Sequence, residues 1–302
     1  MRYSKTAISL LAFLCGVFVA IPAAQAATIT VTSESGGTGG PDCTLRDAIT
    51  AANTNTATGG CPAGSGADTI ELPAGATITL TAVDNYNEGE NGLPSITSEI
   101  TINGNGATIE RSSLVATPEF RIFHVSAELI LSNVSVVNGD ANGIYGFGGG
   151  LFIAVGATVL LTDITVSGNT VNLGGGGIAN SGADKVTLTN CIVNGNSAGG
   201  IGGGILNDGT GLSLTNTTVC GNTPDQIFGD PWTDNGGNLI FIFCPPCLAA
   251  DFDGDGIVNA TDLATLLGSW GPCEGCSADL DGNGQVGPFD LALLLGNWGP
   301  CP

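Results

Sequence analysis

One phrase recurs along residues 128–222, and no other property of the chain restricts its fold so much. Leu161-Thr162-Asp163-Ile164-Thr165-Val166-Ser167-Gly168-Asn169 returns as Leu188-Thr189-Asn190-Cys191-Ile192-Val193-Asn194-Gly195-Asn196. It returns again as Leu214-Thr215-Asn216-Thr217-Thr218-Val219-Cys220-Gly221-Asn222, and a looser copy runs from Leu131 to Gly139. Between the copies stand Gly148-Gly149-Gly150-Leu151, Gly175-Gly176-Gly177-Ile178 and Gly202-Gly203-Gly204-Ile205, 27 residues apart each time. A fixed period of this length predicts a solenoid, in which each repeat buries its apolar face only against its neighbours.

The residue types inside the period select the kind of solenoid. Runs such as Val186-Thr187-Leu188-Thr189 and Ile192-Val193 are β-branched and alternating, and the Asn-Gly or Gly-rich corners accept left-handed backbone angles. No run is long enough for a helix. The expectation is a mainly β fold, a right-handed parallel β-helix with three short strands per turn, stacked at the inter-strand spacing of about 4.8 Å. Leu161/Leu188/Leu214 and Val166/Val193/Val219 then form internal ladders, and Asn169, Asn196 and Asn222 stack at one corner, amide to amide. A leucine-rich repeat needs another leucine spacing. A calcium-binding glycine roll needs an Asp that Ile178-Ala179-Asn180 and Ile205-Leu206-Asn207 do not supply. The two motifs together resemble the repeats of polymorphic outer-membrane proteins and related surface β-helix proteins.

Acidic groups outnumber Lys plus Arg by 27 to 6. A surface of that sign repels nucleic acid, anionic lipid and polyanionic polymers, so none of these is an expected partner. Residues 1–26 combine Arg2 and Lys5, an apolar run from Ile8 to Ile21, and Ala24-Gln25-Ala26, which reads as a secretory signal peptide rather than a membrane anchor. No other stretch reaches the roughly 20 apolar residues of a spanning helix. The expected setting is therefore extracellular or at the cell surface, where disulfides persist.

Beyond Cys15 the chain has nine cysteines, an odd number that leaves one over. Cys244/Cys247 and Cys273/Cys276 have C-x-x-C spacing, which also suits zinc; export favours bridges. Cys43 paired with Cys61 would close a loop worth about 3 kcal/mol on the chain-entropy model.

Residues 27–126 read as a cap and first coils, and 127–243 as the repeat coils. Thr28-Ile29-Thr30-Val31-Thr32 alternates as a strand, and Leu45, Ala48, Ile49 and Ala52 lie at helical spacing, as a plug on an open solenoid end would. Cys43-Thr44-Leu45-Arg46-Asp47-Ala48 resembles the domain named for its Cys-Ser-Leu-Arg-Glu-Ala signature, from which Thr44 and Asp47 depart. That resemblance continues through Ala67-Asp68-Thr69-Ile70-Glu71-Leu72. Arg46 is expected to pair with a carboxylate at the cap. His124, the lone histidine, is expected as an outward polar residue on a strand. Phe241, Ile242 and Phe243 read as a buried final strand, and 244–250 as a linker.

Residues 251–302 carry the strongest chemical signal. Asp251, Asp253 and Asp255 stand at loop positions 1, 3 and 5, with the Ile257 carbonyl at 7, Asn259 at 9 and Asp262 at 12. Asp279, Asp281, Asn283, the Gln285 carbonyl and Asp290 repeat the pattern, with Gly287 at position 9. Oxygen ligands at alternate positions around a Gly turn suit a hard cation of calcium size, and two ions are expected. Each loop leads into one helix, with Leu263, Leu266, Leu267 and Trp270 matching Leu291, Leu294, Leu295 and Trp298. Two tandem one-helix loops ending in Asp resemble the dockerin family, whose members bind two calcium ions and dock onto cohesin domains. The resemblance implies a cohesin-like or cell-surface protein as partner. Aligning the repeats puts Cys247 opposite Cys276 and Cys273 opposite Cys301, so Cys247–Cys273 and Cys276–Cys301 are the expected bridges.

Catalysis by the β-helix would need charged groups converging on one sheet. The repeated columns hold Thr162/Thr189/Thr215 and Asp163/Asn190/Asn216 instead, and the cations Arg46, Arg111, Arg121 and Lys185 form no cluster in the sequence. No enzyme is therefore expected. The chain reads as a secreted or surface β-helix protein for adhesion or binding of neutral glycans, attached or stabilised by its calcium module. The alternative is a polysaccharide lyase or glycoside hydrolase.

Overall fold

A computed structural model describes residues 26–244, 249–253, 257–273 and 275–300. The stretch 1–25, expected as part of a signal peptide, lies outside the described residues together with Cys247, Asp255 and Cys301.

The chain is a parallel β-solenoid followed by a small module with two helices. In the repeat region every coil runs through strands such as Ile178–Asn180, Lys185–Thr189 and Ile192–Asn194, plus a two-residue fourth stretch, Ser197–Ala198. Three strands per turn were expected; the fourth is the short one. All coil-to-coil pairings in this region are parallel and in register, with Leu188 opposite Leu161 and Leu214, and Val193 opposite Val166 and Val219. Both ladders are fully buried. The corner between the second and third strands is turned by Asp163, Asn190 and Asn216 at φ of 54°, 53° and 48°, which is why Asp and Asn interchange there. Their side chains are linked, Asn190 Nδ2 donating to Asp163 Oδ1 at 3.0 Å and Asn216 Nδ2 to Asn190 Oδ1 at 3.3 Å.

The Gly triplets and the Asn corner belong to one device. Asn169, Asn196 and Asn222 are buried; Asn169 Nδ2 donates to Asn196 Oδ1 at 2.9 Å and Asn196 Nδ2 to Asn222 Oδ1 at 3.0 Å. Each amide also donates to a carbonyl of an earlier coil, Val136, Val166 and Val193 respectively. The third glycine of each triplet makes room for this ladder. A Cβ on Gly177 would stand 2.8 Å from Gly204 O and 2.9 Å from Asn196 Nδ2.

At the N-terminal end, helix α1 (Leu45–Thr54) packs its buried face into the main core, capped by Thr44, whose hydroxyl accepts from Asp47 N. Cys43 and Cys61 are bridged as expected. Arg46 departs from expectation. Its guanidinium Nη2 donates to the Ala82 carbonyl, and Asp84 acts on it only through its charge, opposing the larger effect of burial, which lowers the Arg46 pKa. A guanidinium buried at the cap needs an acceptor within reach, and the Ala82 carbonyl supplies it.

At the other end Cys220 bridges Cys244, and among the described residues Cys191 is buried and free. Phe241, Ile242 and Phe243 are 43%, 74% and 83% exposed, against the expected buried strand. Leu239–Phe241 pairs with Thr218–Cys220 on one side only, and among the described residues no further coil covers these side chains.

Two acidic loops and an aromatic cleft

Helices α2 (Ala260–Gly268) and α3 (Pro288–Gly296) share a small core of Val258, Leu266, Val286 and Leu294. Two antiparallel ribbons cross-link the repeats: Ile257–Val258 pairs with Gly299–Pro300, and Gln285–Val286 with Gly271–Pro272. Each loop is thus braced by the tail of the other repeat's helix. Among the described residues the bridge in this region is Cys273–Cys276, which corrects the expected Cys247–Cys273 and Cys276–Cys301 pairs. The alignment treated each repeat as a separate closed unit. In the structure Cys273 N donates to Gly284 O, and the chain turns back through Gly275 at φ +75°, leaving the two Cα atoms 5.7 Å apart.

Carboxylates of Asp251, Asp253 and Asp262 converge, as do those of Asp279, Asp281 and Asp290, with one oxygen of each residue within 4.8 Å of the others. Asp262 and Asp290 are fully buried at position 3 of their helices. Asp262 accepts from Phe252 N at 2.6 Å and Asn259 N at 2.8 Å; Asp290 accepts from Asp281 N at 3.1 Å and Gly287 N at 2.7 Å. Burial alone would raise the Asp290 pKa, but these backbone donors outweigh it and hold the carboxyl below its ordinary range. In the second loop Asp279 accepts from Asn283 N and Gly284 N, so the backbone wraps around the acids. The donor set is all carboxylate oxygen, and no Lys or Arg follows Lys185 in the sequence. Such a set fits a hard divalent cation. Of the remaining expected ligands, Asn259 Oδ1 accepts from Thr261 N at the start of α2 while its Nδ2 donates to Ile257 O. The Asn283 amide donates to Asp281 at 2.7 Å, and its Oδ1 accepts from Gln285 N.

A second constellation was not legible in the sequence. The strands Phe123–Val125, Leu151–Ile153, Ile178–Asn180, Ile205–Asn207 and Ile227–Gly229 place His124, Phe152, Ala179, Leu206 and Phe228 in one outward column. His124 points outward from its sheet as expected, yet it is 4% exposed, because a covering segment and Phe152 enclose it. Its ring stacks on Phe152, with centroids 5.7 Å apart and planes at 7°, and its Nε2 lies 2.9 Å from Glu88 Oε2. Burial lowers its pKa first, the Glu88 hydrogen bond opposes, and the charge of Arg121 adds to the lowering. Arg121 lies 4.6 Å above the Phe152 ring and donates from Nη2 to the Glu88 and Tyr145 carbonyls. Burial draws its pKa down to about 10, against the pull of Glu88 and Glu90. The covering segment is shaped by Asn91, whose Nδ2 donates to Asn85 Oδ1, Asn87 O and Gly89 O.

Beside this cluster lies a cleft of about 180 Å³. Phe152, Ala179 and Leu206 form its floor, Tyr145 and Phe147 one wall, and Glu88, Ser181 and Asp208 its polar rim. Glu88 has φ +50°, and among the described residues it is the only left-handed residue that is not Gly, Asn or Asp. Holding a Glu there costs about 1–2 kcal/mol, the kind of strain found where a side chain is aimed for use.

Comparison with protein-family models, with curated proteins and with solved structures finds no match. Among the described residues no helix is long and apolar enough to cross a membrane. The three disulfides fit a non-reducing, extracellular setting.

Proposed function

We propose that this is a secreted or cell-surface β-solenoid that works by binding, in adhesion or recognition of neutral glycans, and that its C-terminal dockerin-like module attaches or stabilises it by taking up two calcium ions. The observation that carries this reading is the pair of three-carboxylate clusters on loops with no basic counter-charge. Calcium would supply that charge, held in one loop by Asp251, Asp253 and Asp262 and in the other by Asp279, Asp281 and Asp290, and would tie loop to helix. The aromatic cleft supports the binding half. A sugar ring can lie on the exposed ring of Tyr145 while its hydroxyls donate to Glu88 and Asp208, and no lining residue is cationic, which disfavours uronates. The resemblances at the N-terminal cap and repeats, and the right-handed coil they imply, agree with a surface protein; a cohesin-like partner would meet the module.

Calorimetric titration of the full chain tests the reading: two calcium sites are expected, and absence of binding at millimolar calcium would remove it. A glycan array with and without calcium then identifies the ligand. One observation favours a second reading, polysaccharide cleavage: Glu88 and Asp208 are two carboxylates on the rim of one cleft. Sugar release from neutral polysaccharides that is lost in both Glu88→Gln and Asp208→Asn would decide for it.

A further inference from the structure

The backbone N–H of Ala27, just ahead of the first strand, donates to Asp68 Oδ1 at 2.9 Å. Asp68 is 1% exposed, and Oδ1 also accepts from Ser65 N at 2.7 Å, while Oδ2 is buried without a hydrogen-bond partner. That oxygen is closely lined: a Cβ added to Gly64 would come within 2.3 Å of it. No salt bridge reaches Asp68 among the described residues. A buried carboxylate held by two neutral N–H groups on one oxygen is short of compensation.

We propose that Asp68 is the receptor for the α-ammonium group of Ala27, formed when the leader is cut after Ala26. The inference rests on the export reading above. Ala24-Gln25-Ala26 places small residues where a signal peptidase reads them, and Ala26 is exposed. Hydrolysis of the Ala26–Ala27 bond consumes one water: the C–N bond breaks, the water oxygen stays on Ala26 as carboxylate, and both water hydrogens end on the Ala27 nitrogen. The nitrogen changes from an amide with one hydrogen to an ammonium with three, below its ordinary pKa of about 8. The contact already present then becomes charge-assisted, and two further N–H groups can serve Oδ2. Cleavage thereby strengthens the hold of Thr28–Thr30 on its partner strand Asp68–Glu71, beside α1, a pairing that is already formed.

Two measurements separate this proposal from the export reading. Mass and N-terminal sequence of the exported protein should show Ala27 first; an intact leader removes the export reading, and a start elsewhere overturns this proposal alone. The mature chain with a free Ala27 is then compared with its α-N-acetylated form and with a form extended by one Gly, each with and without Asp68→Asn. Acetylation or extension should lower Tm at pH 6.5 by roughly 3–6 °C, the gap should close as pH rises past the ammonium pKa, and Asp68→Asn should abolish it. Equal Tm for free and acetylated chains would overturn the proposal. Those two forms decide the matter even if Asp68→Asn does not fold, because they change no side chain.

Discussion

Asn222 donates its side-chain amide to Gln226 Oε1 at 2.9 Å, the bond that Asn169 makes to Asn196 and Asn196 to Asn222. Gln226 Oε1 also accepts from Asn222 N at 3.1 Å, so a glutamine four residues on stands in for the corner asparagine that the last coil lacks. Asn196→Ala would strand Asn169 N–H and take the amide donor from Val166 O inside the stack, while Asn222 Oδ1 would keep only the Asn196 backbone N–H. At about 1–3 kcal/mol per stranded buried group, it should cost about 3 kcal/mol or more, and Gln226→Ala, at the half-buried end, about 1 kcal/mol. Urea denaturation measures both, and equal costs would count against the ladder.

Gly177 and Gly195 make a paired test of why the repeat keeps its glycines. Gly195 has φ +60° with nothing within 4 Å of an added Cβ, so Gly195→Ala should cost only the left-handed penalty, about 1 kcal/mol. Gly177 has an ordinary φ, yet its Cβ would press on a carbonyl and on the Asn ladder. Gly177→Ala should therefore cost more, about 2–3 kcal/mol. The reverse order in a melting comparison would mean that corner conformation, not coil packing, selects the triplets.

What the sequence made legible follows from the same ladders. Stacking imposes one environment on Leu161, Leu188 and Leu214, and one on Asn169, Asn196 and Asn222, so the pattern repeats in the chain as it does in space. The cluster of Arg121, His124 and Glu88 has no such trace, because Glu88 comes from a single non-repeating segment folded across the sheet. Phe241–Phe243 misled because an apolar run reads as a buried strand only if a further coil covers it. The acidic loops were legible as spacing; that Cys273 meets Cys276 depends on ribbons that exchange tails between repeats, which an alignment of repeats conceals.

Chelation should act on one part of the molecule. Without a cation the two carboxylate clusters repel, and residues 249–302 should lose their helices while the solenoid keeps its strands. Trp270 and Trp298 report the module, and far-ultraviolet dichroism at strand wavelengths reports the solenoid. Chelator that changes neither signal relative to millimolar calcium would exclude a calcium-dependent module; Asp262→Ala and Asp290→Ala should each mimic half of its effect.

Cys191 should be silent until the coils open. Burial pushes its thiol up to about 11, and its sulfur lies 3.4 Å from Leu161 O and 3.2 Å from Thr189 O, so little thiolate forms at pH 8. Iodoacetamide should leave Cys191 unlabelled in the native chain and label it after unfolding without reductant. Rapid native labelling of Cys191 would show that the coils around it open readily.

His124 sets an acid limit on the cleft. Its folded pKa lies below the unfolded value of about 6.5, chiefly through burial, so the folded chain prefers the neutral ring. In the window from just above 6.5 down to the folded pKa, the unfolded chain binds the proton that the folded chain refuses, and stability must fall with falling pH. Carboxylates add their own losses at lower pH, so the comparison is with His124→Gln, which keeps a polar group beside Glu88 but cannot titrate. Between pH 7.5 and 5.5 the wild type should lose more stability than the variant, and ligand held in the cleft should be released in the same window, because an imidazolium pressed against Phe152 also meets the charge of Arg121. Parallel curves for the two chains would mean that His124 takes up its proton without cost, as it would if the Glu88 contact outweighed both burial and Arg121.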